Sequence, residues 1–444
     1  MRIELSGHYG YRRIVRTMLP VVAMMLVTSI YSVVDGLFIS NFIGSTTFAA
    51  MNIIWPVLAI IGALGLMLGS GGSALVSKTF GEGRPERACE IFSMVVHIAI
   101  LFGIAIAAVT FILMPQIVVA LGSQGEMIPY AVTYGRILTL SMPVFISQMM
   151  FQSFFMTAEK PQLGTRMSII SGCLNIGLDA LFILVFGWGL TGAAIATAIA
   201  LGVGGIYPLF FFSSKANRTQ LQFANFERID WRAMGRSCSN GLSEFVGNIA
   251  FNVVGIAYNW QLMRYIGEDG VSAYGILLYF SFILAALFIG YNTGMTQVIA
   301  YNYGAGNKAE LRSLLRKSVV LIGIGGILIT LLAELGAPFI SRLFVGYDDA
   351  LTELTTKALR LYMVSFLICG YNMFCSAWFT ALNNGVVSAT AAFARTLIFE
   401  LSCIFILPTI LGIDGIWLSV DVAEVFALIL SVGLILGYRK RYGY

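Results

Sequence analysis

Charge is scarce in this sequence. Lys, Arg, Asp and Glu make up 11% of its 444 residues, whereas a water-soluble chain of this size needs about a quarter to cover its surface. Histidine is nearly missing, with His8 in the N-terminal tail and His97 alone in an apolar run. The six cysteines (Cys89, Cys173, Cys238, Cys369, Cys375 and Cys403) fall almost wholly in apolar stretches without a CxxC, so they read as small core residues rather than disulfides. No His/Cys/carboxylate cluster has metal-ligand spacing, and no Walker loop is present, which argues against a metalloenzyme and against direct ATP drive. A cleavable signal is not expected either, because Arg12, Arg13 and Arg16 lead straight into an apolar run too long for one. The net charge of +5 is scattered over short connections, unlike a nucleic-acid footprint.

What the chain has instead is length in apolar runs. A membrane-crossing helix needs about 20 apolar residues. Twelve candidates lie near 17–40, 48–77, 90–113, 129–157, 163–187, 190–212, 236–263, 271–302, 313–335, 352–381, 386–410 and 414–437. If the N-terminus is cytoplasmic, 21 Lys and Arg fall on cytoplasmic connections, and only Arg136, Arg264, Arg342, Lys357 and Arg360 lie at outer ends. That bias predicts a multi-pass protein of the cytoplasmic membrane with both termini inside.

The chain also lies on itself at an offset of 223 residues. Phe42-Ile43-Gly44 meets Tyr265-Ile266-Gly267, Phe80-Gly81-Glu82-Gly83 meets Tyr303-Gly304-Ala305-Gly306, and Pro115 meets Pro338. Gly189-Leu190-Thr191-Gly192 meets Gly412-Ile413-Asp414-Gly415, with a one-residue slip around spans 4 and 10. The expected fold is therefore an all-α polytopic membrane protein of twelve transmembrane helices in two pseudo-symmetric six-helix bundles, a parallel repeat. The expected units are an N-lobe (1–212), a cytoplasmic linker (213–235) and a C-lobe (236–444). Parallel repeats of this kind place a transport site at their interface and suit alternating access.

Carboxylates at membrane depth are expensive and point to function. Asp35 interrupts an otherwise apolar run from Met18 to Ile39. By helix rise it lies roughly 9 Å below the outer end of span 1. Asp179 on span 5 is roughly 12 Å down, with Asn175 one turn below it on the same face, and Thr197 on span 6 is roughly 10 Å down. Two carboxylates, an amide and a hydroxyl suit a hard cation such as Na+. Alternatively, two acids in a poorly hydrated pocket keep a proton between them. Polar contact between helices is the plainer alternative for Asn175, Asp179 and Thr197.

The motifs "SVVDGLFISNFIG" (32–44), "GSGGSALVSKTFGEG" (69–83), "LNIGLDALFI" (174–183) and "GMTQVIAYNYGAGN" (294–307) resemble those of bacterial multidrug and toxic compound extrusion (MATE) transporters, over essentially the whole chain. The resemblance implies efflux of small organic cations in exchange for H+ or Na+, no cofactor beyond that coupling ion, and a chain that works as a monomer in the bilayer. It also implies that Asp35, Asn175, Asp179 and Thr197 form the coupling-ion site, and that Pro20 marks a bend in span 1. The chain departs from the family pattern at Ala180, Ser243 and Gln297, where related members often carry proline.

The duplication does not reproduce Asp35, whose counterpart is Tyr258. The second half has its own charges: Glu244 on span 7, Arg395 and Glu400 on span 11, Asp421 and Glu424 on span 12. Together these five form a candidate second-lobe charged site, within which Glu400 and Asp421 fall at similar depths; an ion pair between Arg395 and Glu400 is the structural alternative. Span 4 (Met142, Phe145, Met149, Met150, Phe151, Phe154, Phe155) and span 10 (Phe366, Tyr371, Phe374, Trp378, Phe379) supply aromatic and Met side chains suited to organic cations, though most are expected in the core or facing lipid. Gly62, Gly65 and Gly69 read as close helix packing. A flippase for lipid-linked precursors would share the two-lobe plan, but it calls for clustered cations at depth. An enzyme or a channel fits the sequence less well.

Overall fold

The computed structural model describes residues 4–42, 45–125, 127–214, 219–225 and 228–444, without the side chains of 32–42, 45, 46, 48 and 49. The first half comprises α1 (Tyr11–Phe42), α2 (Ser45–Gly81), α3 (Pro85–Ala120), α4 (Met127–Leu140), α5 (Met142–Thr157), α6 (Pro161–Asp179) and α7 (Gly189–Ser213). The second comprises α8 (Trp231–Tyr265), α9 (Glu268–Gly304), α10 (Lys308–Val345), α11 (Asp349–Met363), α12 (Phe366–Ala381), α13 (Gly385–Phe393), α14 (Leu401–Leu411), α15 (Ile413–Trp417) and α16 (Ser419–Tyr442). Among the described residues nine spans are long and apolar enough to cross a bilayer alone, and α4–α5 and α11–α12 each make one bent span. The polar α8 completes the expected twelve. Its Asn240, Glu244, Asn248 and Asn252 recur every fourth residue, a polar stripe on one helix face.

Spans 4 and 10 are not the continuous helices expected from sequence. They bend by 57° and 46°. Pro143, in the first turn of α5, supplies no N–H to the preceding turn. No proline occurs at the second bend, but the two share a device. The Ser141 hydroxyl donates to the Leu138 carbonyl and the Ser365 hydroxyl to the Tyr362 carbonyl, both at 2.7 Å. A serine bonding back to its own helix competes with the backbone ladder and favours a bend. Ser141 and Ser365 correspond under the one-residue slip. So do Glu159 and Asn383, the non-glycine residues with positive φ (60° and 55°) in the turns that follow α5 and α12.

A further irregularity recurs in both halves. α6 passes into a π-helical segment, Ala180–Val185, and a second π segment, Ala394–Glu400, joins α13 to α14. Single π turns inside α-helices are frequent at functional sites. α1, by contrast, runs on through Pro20, whose ring leaves the Arg16 carbonyl without its helical donor. The Thr165 hydroxyl ties α6 to this point by donating to the Pro20 carbonyl at 2.6 Å.

Between the halves, the polar segment docks on α3. Phe223 stacks on Phe92 with ring centroids 4.9 Å apart, and the Ala224 N–H donates to the Ser93 hydroxyl at 2.8 Å. α8 then starts at Trp231, earlier than the expected 236, because Asp230 caps it by accepting from the Arg232 and Ala233 N–H groups. Those donors, led by Ala233, and the nearby Arg87 guanidinium hold the Asp230 carboxyl below the usual carboxylate range.

The two halves meet where α2 packs on α8 and α9, and where α1 packs on α9. Much of this seam is backbone against backbone. A Cβ on Gly71 would sit 2.0 Å from the Ser237 carbonyl oxygen, and one on Gly241 1.8 Å from that of Met67. Gly81 against Tyr301 and Gly304 against Lys78 repeat the arrangement. Gln297 forms a polar hub in the same seam. Its amide donates to Ser73 at 2.8 Å, and its carbonyl oxygen accepts from Ser77 at 2.9 Å and Thr157 at 3.2 Å. Gln297→Leu is expected to strand these buried hydroxyls at a cost of about 1–3 kcal/mol, read as a lowered unfolding midpoint in detergent.

Residues 4–10 strap the same face. The Leu5 N–H donates to Glu159 of the first half at 2.9 Å, while the Tyr9 N–H donates to Glu310 of the second at 2.8 Å. His8 Nδ1 lies 2.7 Å from the other Glu310 oxygen. Leu5 and Tyr9 are buried in a core cluster formed mainly by the second half. Both termini lie on this face, since the Gly443 carbonyl accepts from Arg312 on α10.

Candidate functional site

In the first half, α6 and α7 bring together three of the four residues expected at a coupling-ion site. Asn175 and Asp179 are buried, one turn apart on α6. The Asn175 amide points at Thr197 on α7, with Nδ2 3.4 Å from Oγ1. A second tie between these helices lies lower down, where Ser171 donates to the Ala200 carbonyl at 2.7 Å. Asp179 is the last α-helical residue before the π segment, so the change of helical pitch begins at the carboxylate. The side chain of Asp35 lies outside the described residues. Its position is on α1, one turn beyond Tyr31, whose ring is 3.0 Å from where a Cβ on Gly172 of α6 would sit. α1 and α6 are therefore in close contact just below the level of Asn175.

The second half builds something different from the same plan. Arg395, inside the π segment, does not pair with Glu400. Its Nε and a terminal amino group donate to one oxygen of Glu424 on α16, at 2.8 and 2.5 Å. The other Glu424 oxygen accepts from Asn372 of α12 at 2.6 Å, and Asn372 accepts from Ser431 at 2.8 Å. Glu424 is thus fixed by α12 as well as by the guanidinium, which explains why it, rather than Glu400, takes the arginine. Glu424 is 2% exposed, and its place is in this structural network.

Glu400 remains within electrostatic reach of Arg395 and Glu424, and also of Tyr258, Tyr274 and Tyr362, while Asp421 is within reach of Glu424, Tyr258 and Tyr362. The Tyr258 ring is stacked on Tyr274 with centroids 4.7 Å apart and lies 6.3 Å from Tyr362. The Tyr258 hydroxyl is buried without a hydrogen-bond partner among the described residues. Buried polar atoms in this condition are rare and ask for a ligand, an ion or a proton. Tyr258, where the duplication aligns Asp35, thus lies within electrostatic reach of both Glu400 and Asp421. Glu244 does not join them. It lies on α8, about four turns before Tyr258.

The aromatic runs divide. Met142, Met150, Phe151, Phe154 and Phe155 of span 4 are buried, as are Phe366, Phe374, Trp378 and Phe379 of span 10. Phe145, Met149 and Tyr371 keep partial exposure. Gly62, Gly65 and Gly69 lie against Phe145, Ile146 and Met150 of α5 at distances that no Cβ would tolerate, which is close helix packing. The sequence contains no signal for the π segments or for the tyrosine cluster beyond the alignment of Tyr258 with Asp35.

Comparison with known proteins supplies the family. The MatE family model matches residues 20–181 and again 245–406, once in each half. The multidrug export protein MepA of Staphylococcus haemolyticus (strain JCSC1435) is 25% identical over 446 residues, covering 99% of this chain and 97% of its own. MepA of Staphylococcus aureus (strain N315) is 24% identical over 426 residues, covering 95% of this chain and 93% of its own. Among solved structures, the outward-facing conformation of a multidrug resistance MATE family transporter of the MOP superfamily superposes with a TM-score of 0.92 at 22% identity, covering 99% of this chain and 97% of that one. With the model matched once in each half and over most of the sequence, this chain belongs to the MatE family.

Proposed function

We propose that this protein exports small organic cations across the cytoplasmic membrane in exchange for H+ or Na+, both termini lying in the cytoplasm. The observation that carries the reading is the buried pair Asp179 and Asn175, with Thr197 beside Asn175 and α1 packed on α6, an acid at membrane depth where an ion can be taken up and released. The relatives named as multidrug export proteins support the choice of cargo. In this reading Asp35 completes the first-half site, and binding of the coupling ion changes the packing of α1 against α6. Glu400 and Asp421, beside the three tyrosines, form a second charged site. The seam at Gln297 closes one face of the substrate path and opens when the lobes rock, and one chain suffices for the cycle. The flippase reading gains nothing from the geometry: the arginine at depth, Arg395, is consumed by Glu424.

Dye efflux from cells with imposed pH and sodium gradients, applied separately, tests the proposal. One of the two gradients should drive efflux in the wild type, and Asp35→Asn should abolish that drive. Efflux that survives collapse of both gradients would overturn the antiport reading.

A further inference from the structure

We propose that the groove between the start of α1 and the first turns of α10 binds the headgroup of an anionic phospholipid. Arg312, Ser313, Arg316 and Lys317 recur on α10 at the spacing of one helix face. With Tyr11 and Ala309 they line a shallow groove of about 490 Å³ on the face that carries both termini. No acid lines it. Glu310 is turned away into the strap, where it accepts from the Tyr9 N–H and meets His8.

The cations are placed to receive an anion. Arg312 and Arg316 are one turn apart, a like-charge spacing that costs stability unless something negative lies between them. Arg312 spends only its Nε, on the Gly443 carbonyl at 3.1 Å, leaving its terminal amino groups free for a fork-like grip on phosphate oxygens. Arg316 is exposed and donates to no described group, and the Ser313 and Tyr11 hydroxyls add neutral donors. Lys317 holds the Tyr9 carbonyl at 2.5 Å, so an occupant would lie directly against the strap.

The surface next to the groove chooses a lipid over a dissolved phosphate. The basic face of α10 continues into Val320, Ile324, Ile327 and Leu331, each about half exposed, and α1 presents Val15 and Leu19 beside Tyr11. Within a membrane span such side chains face acyl tails. Basic groups therefore give way to apolar ones along one continuous stripe, in the order of headgroup and chain, with an aromatic residue at the boundary. Positive groups at this level favour anionic over zwitterionic headgroups.

The test does not depend on transport, so its failure would leave the export proposal untouched. Purified protein in a neutral detergent is titrated with phosphatidylglycerol, with phosphatidylcholine of the same chains, and with inorganic phosphate, and bound lipid is read by native mass spectrometry. Phosphatidylglycerol should be retained in preference to phosphatidylcholine and should raise the unfolding midpoint, with inorganic phosphate failing to displace it. Arg312→Gln and Arg316→Gln should each weaken retention about fivefold, and the pair further. Arg232→Gln, an exposed cation at the start of α8, should leave it unchanged. Equal retention of the two lipids would overturn the proposal, as would displacement by phosphate, a double variant that keeps its lipid, or an equal loss in Arg232→Gln.

Discussion

Asp179→Asn is expected to reduce export to background while leaving the protein folded and in the membrane. The substitution is nearly isosteric, so the packing of a residue 1% exposed is preserved. What goes is the capacity to bind a proton or to offer a full negative charge to a cation. An amide can still hydrogen-bond, so if Asp179 were only contact between helices, the variant would keep most of its activity. Efflux of a fluorescent cation, normalised to the amount of protein in the membrane, separates the outcomes. Activity near wild type would remove the acid from the mechanism. Thr197→Ala gives a graded comparison, because it removes one neutral ligand and leaves the carboxylate.

The second large effect concerns stability. Arg395→Leu should cost about 3–5 kcal/mol, because it leaves Glu424 buried without its counter-charge. The unfolding midpoint in detergent should drop sharply. In the double variant Arg395→Leu/Glu424→Leu, with both members of the ion pair gone, most of that loss should be recovered. Recovery should be incomplete, since Asn372 donates to Glu424 as well. A double variant no better than the single would mean that the arginine matters for shape or for transport rather than for neutralising Glu424.

The spans and the duplication were legible in the sequence because each depends on local order: apolar length, and glycine-bearing turns at a fixed offset. The bends were not. Spans 4 and 10 each read as one crossing, and a serine that turns its hydroxyl back onto its own helix looks like any other serine. The partner of Arg395 was equally hidden, since Glu424 reaches it from another helix and no spacing rule connects the two. Nothing in the sequence marks Glu159 or Glu310, which lie at the edges of connections. Their engagement with Leu5, His8 and Tyr9 depends on the chain start folding back over both halves. Tyr258 was visible as an absence, an aromatic where the repeat aligns an acid, but its stacking against Tyr274 required the fold.

The glycine-rich junction between the halves has a mechanical consequence. Surfaces that touch main chain to main chain, as at Gly71 and Gly241, have no interlocking side chains to withdraw before they part. Parting them needs few rotamer changes, and bringing them back needs no search for the right ones. Resistance to movement is then concentrated in a few polar fasteners, the amide of Gln297 and the carboxylates that grip residues 4–10, so single substitutions there could tune the speed of the whole machine.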